Sequence, residues 1–256
     1  MKIFIMIITF VLIGYFLCKD ILFSESFEKD KIDAYVSMTT IPSRVCTDWF
    51  YENLKHTLSI LPEKTKLILN VPDYSLKKEK YAIPEKIVDL ASDVFEIHSC
   101  RKDEGPITKL LPTLRNDTID DNAIIMIVDD DIVYRKKLFH LLKKSVQKHQ
   151  KKISSMCTGD VEGFKGYGFV KKVLKNLSDK NIPTDCTRID DFVVQKYVKY
   201  YGIPIKIVKY NFWARKSPYC CIKDHENHPD WDELNFDDRE PMNENCDRVF
   251  EPFGIS

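Results

Sequence analysis

A chain of 256 residues, 44% hydrophobic and 30% charged, carries enough apolar material for one sizeable buried core. Its 39 lysines and arginines balance 39 aspartates and glutamates, and no long basic tract occurs, so the composition argues against a nucleic-acid partner. Eight cysteines, at positions 18, 46, 100, 157, 186, 220, 221 and 246, include no CxxC spacing. That removes support for a zinc cluster and leaves buried thiols with one or two disulfides.

Met1 and Lys2 precede an uncharged, almost wholly apolar run from Ile3 to Leu17, closed by Cys18, Lys19 and Asp20. The run is shorter than the ~20 residues that span a bilayer comfortably. Adding Ile21, Leu22 and Phe23 lengthens it, with Lys19 able to snorkel to the interface. Bulky Tyr15, Phe16 and Leu17 stand where a cleavage site needs small residues, which favours an uncleaved signal anchor over residues 1–23 against a cleaved peptide. The expectation is a single-pass membrane protein whose folded domain is lumenal, in an endoplasmic reticulum or Golgi-type membrane. The triplets Asn116-Asp117-Thr118 and Asn176-Leu177-Ser178 suit a glycoprotein in such a compartment.

Residues 24–32 are polar and aperiodic, a short stem, and the folded domain is expected over 33–256. Ile32, Ala34, Val36 and Met38 alternate with polar neighbours, a strand that Pro42 stops before a helical stretch from Ser43 to Ser59. Leu67-Ile68-Leu69 reads as a buried strand, and Val94, Glu96 and His98 mark another. Ile107 to Leu114 reads as a helix. Ala123 to Val128 is a continuous apolar run of buried-strand type, followed by a lysine-rich amphipathic helix to about Gln150. Beyond Lys152 come a strand, a Gly-rich loop, a helix from Ile189 to Tyr201 and a strand from Ile205 to Val208, then an irregular tail. Alternating strands and helices predict a single α/β, Rossmann-like domain with a mostly parallel sheet, whose ligands sit beyond the carboxyl ends of the strands.

The apolar run ends abruptly in Asp129-Asp130-Asp131. Three adjacent carboxylates repel one another, and a divalent cation relieves that repulsion most simply. If the extended conformation persists, Asp129 and Asp131 face one side and Asp130 the other. The alternative is a solvated acidic turn with one aspartate capping the next helix.

An aspartate triplet after an apolar strand resembles the DxD motif of GT-A-fold, nucleotide-sugar-dependent glycosyltransferases. The flanking segments fit the same pattern. Thr39 to Arg44 follows the first strand, Asp103 to Pro112 precedes the aspartate strand, Gly163 to Gly168 occupies an acceptor-side loop position, and Asp190-Asp191 opens a late helix. The resemblance covers about residues 33 to 210. It implies that Asp131 ligates Mn2+ or Mg2+ on the donor diphosphate and that Asp129 supports the metal or contacts the ribose, with Asp130 alongside. Thr39, Arg44 and Asp103 fall in the nucleotide pocket, and Lys109 lies near the diphosphate or, alternatively, on a solvated helix face. Asp191, with Asp190 as the alternate, is the base of an inverting transfer, although both suit helix capping as well. His225, with His228 nearby, is a late metal ligand or part of a solvated loop. Phe164, Tyr167, Trp213 and Trp231 are candidates for stacking on an acceptor sugar. Gly163 to Gly168 lacks the lysine-serine pair of a phosphate loop.

The implied function is transfer of a sugar from a nucleotide-sugar, by family a UDP-sugar, to a glycan, protein or lipid acceptor. Competing readings are a metal-dependent nucleotidyltransferase and a catalytically silent, membrane-tethered module that binds a glycan or protein.

Overall fold

A computed structural model describes residues 31–157, 159–180, 182, 183, 186, 189–209, 219–221 and 246. The expected anchor, most of the stem, and His225, His228, Trp213 and Trp231 lie outside the described residues. Among the described residues no helix is long and apolar enough to cross a membrane.

In chain order the elements are β1 (Ala34–Thr39), α1 (Pro42–Val45), α2 (Asp48–Ser59), β2 (Thr65–Pro72), α3 (Glu85–Val88), β3 (Phe95–Cys100), a 3-10 turn (Gly105–Lys109), α4 (Leu111–Arg115) and β4 (Ile124–Ile127). They continue with β5 (Ile132–Tyr134), α5 (Lys136–Lys148), β6 (Ile153–Ser155), β7 (Tyr167–Val170), 3-10 turns at Lys171–Val173 and Lys175–Asp179, α6 (Asp190–Tyr200), β8 (Ile205–Ile207) and β9 (Tyr219–Cys221).

Seven strands form one sheet in the order β3-β2-β1-β4-β7-β6-β8, and β5 pairs with β9 in a separate ribbon. Within the seven-stranded sheet every neighbouring pair is parallel except the two made by β7, which runs antiparallel to both β4 and β6. This is the mostly parallel, Rossmann-like sheet that the alternating pattern predicts. One face, with Val36, Met38, Leu67, Leu69 and Met126, packs on Phe50 and Leu54 of α2 and on Leu138, Phe139 and Leu142 of α5. The opposite face, with Ile68, Ile125, Ile127 and Phe169, packs on Ile107, Leu110 and Leu114 and on Val193, Val194 and Tyr197 of α6.

Two expected helices are broken for local reasons. The stretch from Ser43 to Ser59 divides at Thr47, whose extended backbone and side chain, accepting from Phe50 N at 3.1 Å, start a new helix. Ile107 to Leu114 divides at Leu110, because Pro112 has no N–H and its ring would meet the carbonyl four residues earlier. β7 was not expected, since Gly166 and Gly168 make its surroundings look like loop. Gly166 has φ +85°, and a Cβ at Gly168 would stand 3.2 Å from Ile125 O.

The segment before α4 is fastened to the sheet by a buried polar knot. Ser37 of β1 donates to Lys109 O at 2.6 Å and pairs with Thr113 Oγ1 at 2.6 Å. Asn70 of β2 donates to both hydroxyls, at 2.9 and 3.0 Å. Buried groups left unpaired cost their full desolvation, so Ser37→Ala should destabilise the fold by about 1–3 kcal/mol. The measurement is chemical denaturation, with a lower midpoint and an unchanged slope.

Candidate active site

β1, β2, β3 and β4 are parallel, so their carboxyl ends share one edge, and antiparallel β7 begins at that edge with Tyr167 opposite Ile127. The aspartate turn, the loop after β1, the Gly105–Lys109 turn and the loop before β7 therefore converge there, as expected for a switch point in an open α/β sheet.

Strand β4 ends at Ile127 and a turn forms at Asp130 and Asp131, so strict alternation of the three carboxylates does not hold. Asp130 and Asp131 instead share one cation: Arg44 Nη1 lies 2.5 Å from Asp130 Oδ1, and Nη2 lies 3.4 Å from Asp131 Oδ2. Asp129 turns the other way, onto Lys109. None of the three caps α5, whose cap position is Arg135 with no side-chain bond. Helix α2 secures the turn through its backbone. Asn53 Nδ2 donates to Asp130 O at 2.9 Å and to Ile132 O at 3.1 Å, and one turn later His56 Nε2 donates to Tyr134 O at 2.8 Å.

Lys109 is buried, 4% exposed, not on a solvated helix face. Its ammonium lies 2.6 Å from Asp129 Oδ1 and 2.6 Å from Asp190 Oδ2, tying the aspartate turn to the first turn of α6. Burial alone would pull this ammonium down, but Asp129, Asp190 and Asp191 outweigh it and hold the group well above the ordinary lysine value. Asp191 Oδ1 accepts from Gly163 N at 2.9 Å. A Cβ at Gly163 would collide with Lys109 Nζ and stand 2.8 Å from Asp129 Oδ1, so the glycine permits the close approach. Tyr134 OH accepts from Asp129 N at 3.0 Å and donates to Phe164 O at 3.2 Å, pinning the turn to the same loop. Asp190 and Asp191 do not cap α6: the cap residue is Ile189, without a side-chain bond, and both carboxylates lie in the first turn.

Thr39 and Asp103 are at the same edge but already engaged. Thr39 Oγ1 donates to Asn70 O at 2.8 Å, and Asp103 accepts from Gly105 N at 2.7 Å and Leu76 N at 2.8 Å, clasping two loops. Tyr167 is fully buried and so is unavailable for stacking on an acceptor, and Phe164 is half-buried against the core. Asn53, His56, Tyr134 and the packing role of Gly163 escape sequence reading. The one signal was the polar pair Asn53 and His56, three apart on an amphipathic helix.

Burial and the neighbouring Asp130 and Asp129 push the Asp131 carboxyl up to about 7, against the pull of Arg44 and Lys109. Asp130 is 5% exposed, and its Oδ2 has no hydrogen-bond partner among the described residues. A starved carboxylate oxygen beside a second acid that resists ionisation suits a divalent cation. Among the described residues no group of three or more His, Cys, Asp or Glu is placed to hold a metal ion by itself. The set fits Mg2+-type binding, in which one or two carboxylates are completed by substrate phosphates.

Replacing Lys109 by Met leaves Asp129 and Asp190 facing each other without a cation, and should cost about 3–5 kcal/mol of stability. Adding Asp129→Asn and Asp190→Asn should restore most of it; equilibrium unfolding of the single and triple variants reads both. For Asp191, burial and then Asp190 push the carboxyl from 3.8 up to about 8, although Lys109 and the Gly163 N–H pull the other way. The folded chain thus keeps a proton that the unfolded chain releases. Stability from this group is fully present below pH 3.8 and is lost as pH rises through about 8. Asp191→Asn, which can still accept from Gly163, should raise Tm relative to the parent chain at about pH 8.5 and by less at about pH 5.5.

The sequence matches no protein-family model and no curated protein. Solved structures are similar. A mannosyltransferase from Pyrobaculum calidifontis, in complex with GDP-Man and Mn2+, is 14% identical with a TM-score of 0.50, over 69% of this chain and 55% of that one. This chain thus spans little more than half the length of that protein. TarS residues 1–349 from S. aureus, in complex with UDP, is 12% identical with a TM-score of 0.51, over 86% of this chain and 72% of that one. A cytidylyltransferase from Leptospira borgpetersenii is 12% identical with a TM-score of 0.52, over 88% and 96%. At such identities the likeness is one of fold, and the fold is the GT-A-type α/β domain shared by the mannosyltransferase and the cytidylyltransferase.

Proposed function

We propose that this chain is a metal-dependent, inverting glycosyltransferase that moves a sugar from a nucleotide-sugar donor to a sugar-bearing acceptor on a glycan, protein or lipid. The observation that carries the proposal is the buried Lys109, which draws the strand-end carboxylates and the helix-start carboxylates into one cluster. Such a transfer needs both sets: one for the departing diphosphate and one for the attacking hydroxyl.

Asp131 and the unpaired oxygen of Asp130, with Asp129 in support, would hold Mn2+ or Mg2+. The metal, when bound, supplies Lewis-acid neutralisation of the nucleoside diphosphate. Arg44, on Asp130 and Asp131, is a second cation at the donor end. His225 is a candidate further ligand. β9 runs antiparallel to β5 with Cys221 opposite Ile132, so its carboxyl end lies on the aspartate-turn side of β5. In the transfer, the acceptor hydroxyl attacks the anomeric carbon, the bond to the diphosphate breaks, and Asp191 takes the hydroxyl proton. Asp191 Oδ1 is held by Gly163 N, leaving Oδ2 for the acceptor, and its raised proton affinity suits a base working near neutrality. A UDP-sugar is the donor we favour.

In this reading the folded domain is lumenal and residues 1–23 are its membrane anchor. Cys186–Cys246, a disulfide linking residues 60 apart, suits that oxidising compartment. A second reading, a nucleotidyltransferase, is favoured by the likeness to a cytidylyltransferase over 96% of that protein's length.

The protein incubated with UDP- and GDP-sugars and Mn2+ should release a nucleoside diphosphate, and release should stop on chelation. Asp131→Asn should lower the rate by at least roughly a hundredfold, the metal's several kcal/mol of charge stabilisation, with little change in Tm. Release of pyrophosphate from a nucleoside triphosphate, with no sugar-nucleotide turnover, would replace this reading with the nucleotidyltransferase one.

A further inference from the structure

Tyr167 is the first residue of β7, opposite Ile127 of β4, two residues before the aspartate turn. Its side chain is fully buried, and its hydroxyl has no hydrogen-bond partner among the described residues. Buried phenols ordinarily find one, and an unmade bond costs the desolvation of the group. The charged groups acting on this phenol are Lys109, Asp191, Asp190 and Asp129. A buried donor without a partner among the described residues thus stands at the start of β7, in the same layer as the Gly105–Lys109 turn and the first turns of α6.

Around it, one ammonium serves two carboxylates. Lys109 shares its ammonium between Asp129 and Asp190, next to Gly163, where a Cβ would collide with it. An arriving diphosphate brings oxygens that compete for that ammonium. If Lys109 leaves Asp190, a buried carboxylate next to Asp191 loses its partner, which is costly unless another donor replaces it. Arg44 is committed to Asp130 and Asp131, and Gly163 N to Asp191. The phenol is a buried donor without a partner among the described residues.

We propose that Tyr167 is a positioning residue for the proposed transfer: its hydroxyl takes over a carboxylate oxygen of Asp190 when Lys109 turns onto the donor diphosphate, keeping the first turn of α6, and with it Asp191, in place. The proposal rests on the glycosyltransferase reading for its kinetic consequence. Its conformational consequence needs only that a nucleoside diphosphate binds. In the ligand-free protein the hydroxyl contributes nothing, and in the ligand complex it carries one charged hydrogen bond.

The test is Tyr167→Phe, which removes the hydroxyl and keeps the ring. Ligand-free, the variant should unfold at the same Tm or higher, because an unsatisfied buried group is deleted. The Tm increase produced by UDP or GDP with Mn2+ should be smaller in the variant than in the parent chain. With a sugar-nucleotide that the parent chain turns over, kcat should fall roughly ten- to hundredfold, the worth of a hydrogen bond to a charged group, with KM for the donor changed much less. A ligand-free variant that is clearly less stable would overturn the proposal, since the hydroxyl would already be bonded. So would an undiminished nucleotide-induced shift, or an unchanged kcat. Absence of turnover in the parent chain would sink the glycosyltransferase reading alone, and the two thermal measurements would still decide the role of Tyr167.

Discussion

A single buried ammonium, that of Lys109, holds the working edge of this protein together. It bridges Asp129, at the end of a central strand, and Asp190, at the start of a helix 61 residues further along the chain. Two carboxylates in that position repel each other, and no rearrangement of backbone hydrogen bonds relieves the repulsion. A cation between them makes the approach possible. The rest of the site is arranged to let that cation be there. The 3-10 turn that carries Lys109 is tied to β1 through its own carbonyl, which accepts from Ser37. The loop above it is glycine where a Cβ would strike the ammonium, and Tyr134 clamps that loop to the aspartate turn.

Charge is unevenly spent across the edge. Among the described residues, five aspartates at 129, 130, 131, 190 and 191 face two cations, Lys109 and Arg44, so these groups keep a surplus of negative charge even after both ion pairs are made. The surplus appears where the cations reach least well. Asp131 is raised to about 7 and Asp191 to about 8, one at each end of the Lys109 bridge. On the proposed function these two ends have different tasks. One would be relieved by a metal ion, the other by a proton, and a transfer that separates a diphosphate from a sugar needs a metal at one end and a proton acceptor at the other.

Much of this was legible in the sequence, where burial produced an unambiguous pattern. β1 shows as an alternating strand, β2 and β4 are apolar runs of buried-strand type, and the abrupt change to three aspartates marks the turn after β4 because no structural need explains three. The late Asp190-Asp191 pair was legible as a helix start. What joins the two was not. Lys109 lies in a segment that looks like an amphipathic helix with a solvated lysine, and the break enforced by Pro112 turns it inward instead. β7 was hidden for the opposite reason. Its glycines read as loop, yet Gly168 is there because the strand passes close to Ile125 O, and Gly166 because the approach needs positive φ. The register that sets Tyr167 beside Ile127 depends on that insertion and cannot be read from periodicity.

The antiparallel strand has a mechanical consequence. A purely parallel sheet would bring each new strand in from the opposite edge, and its carboxyl-end loops would all be exits. By entering at the working edge, β7 makes the loop from Val161 to Gly166 an approach instead, delivering Gly163 N to Asp191 and burying the ring of Tyr167 beside the end of β4. The arrangement costs stability. Asp191 is buried beside a like charge, and the phenol is buried with its hydroxyl unpaired among the described residues, both of which a fold selected for stability alone would avoid. Such penalties gather at one edge while the two apolar layers beneath are made of closely packed aliphatic and aromatic side chains. That segregation is what a site held ready for a charged ligand requires: a rigid floor, and above it groups whose best partners arrive with the substrate.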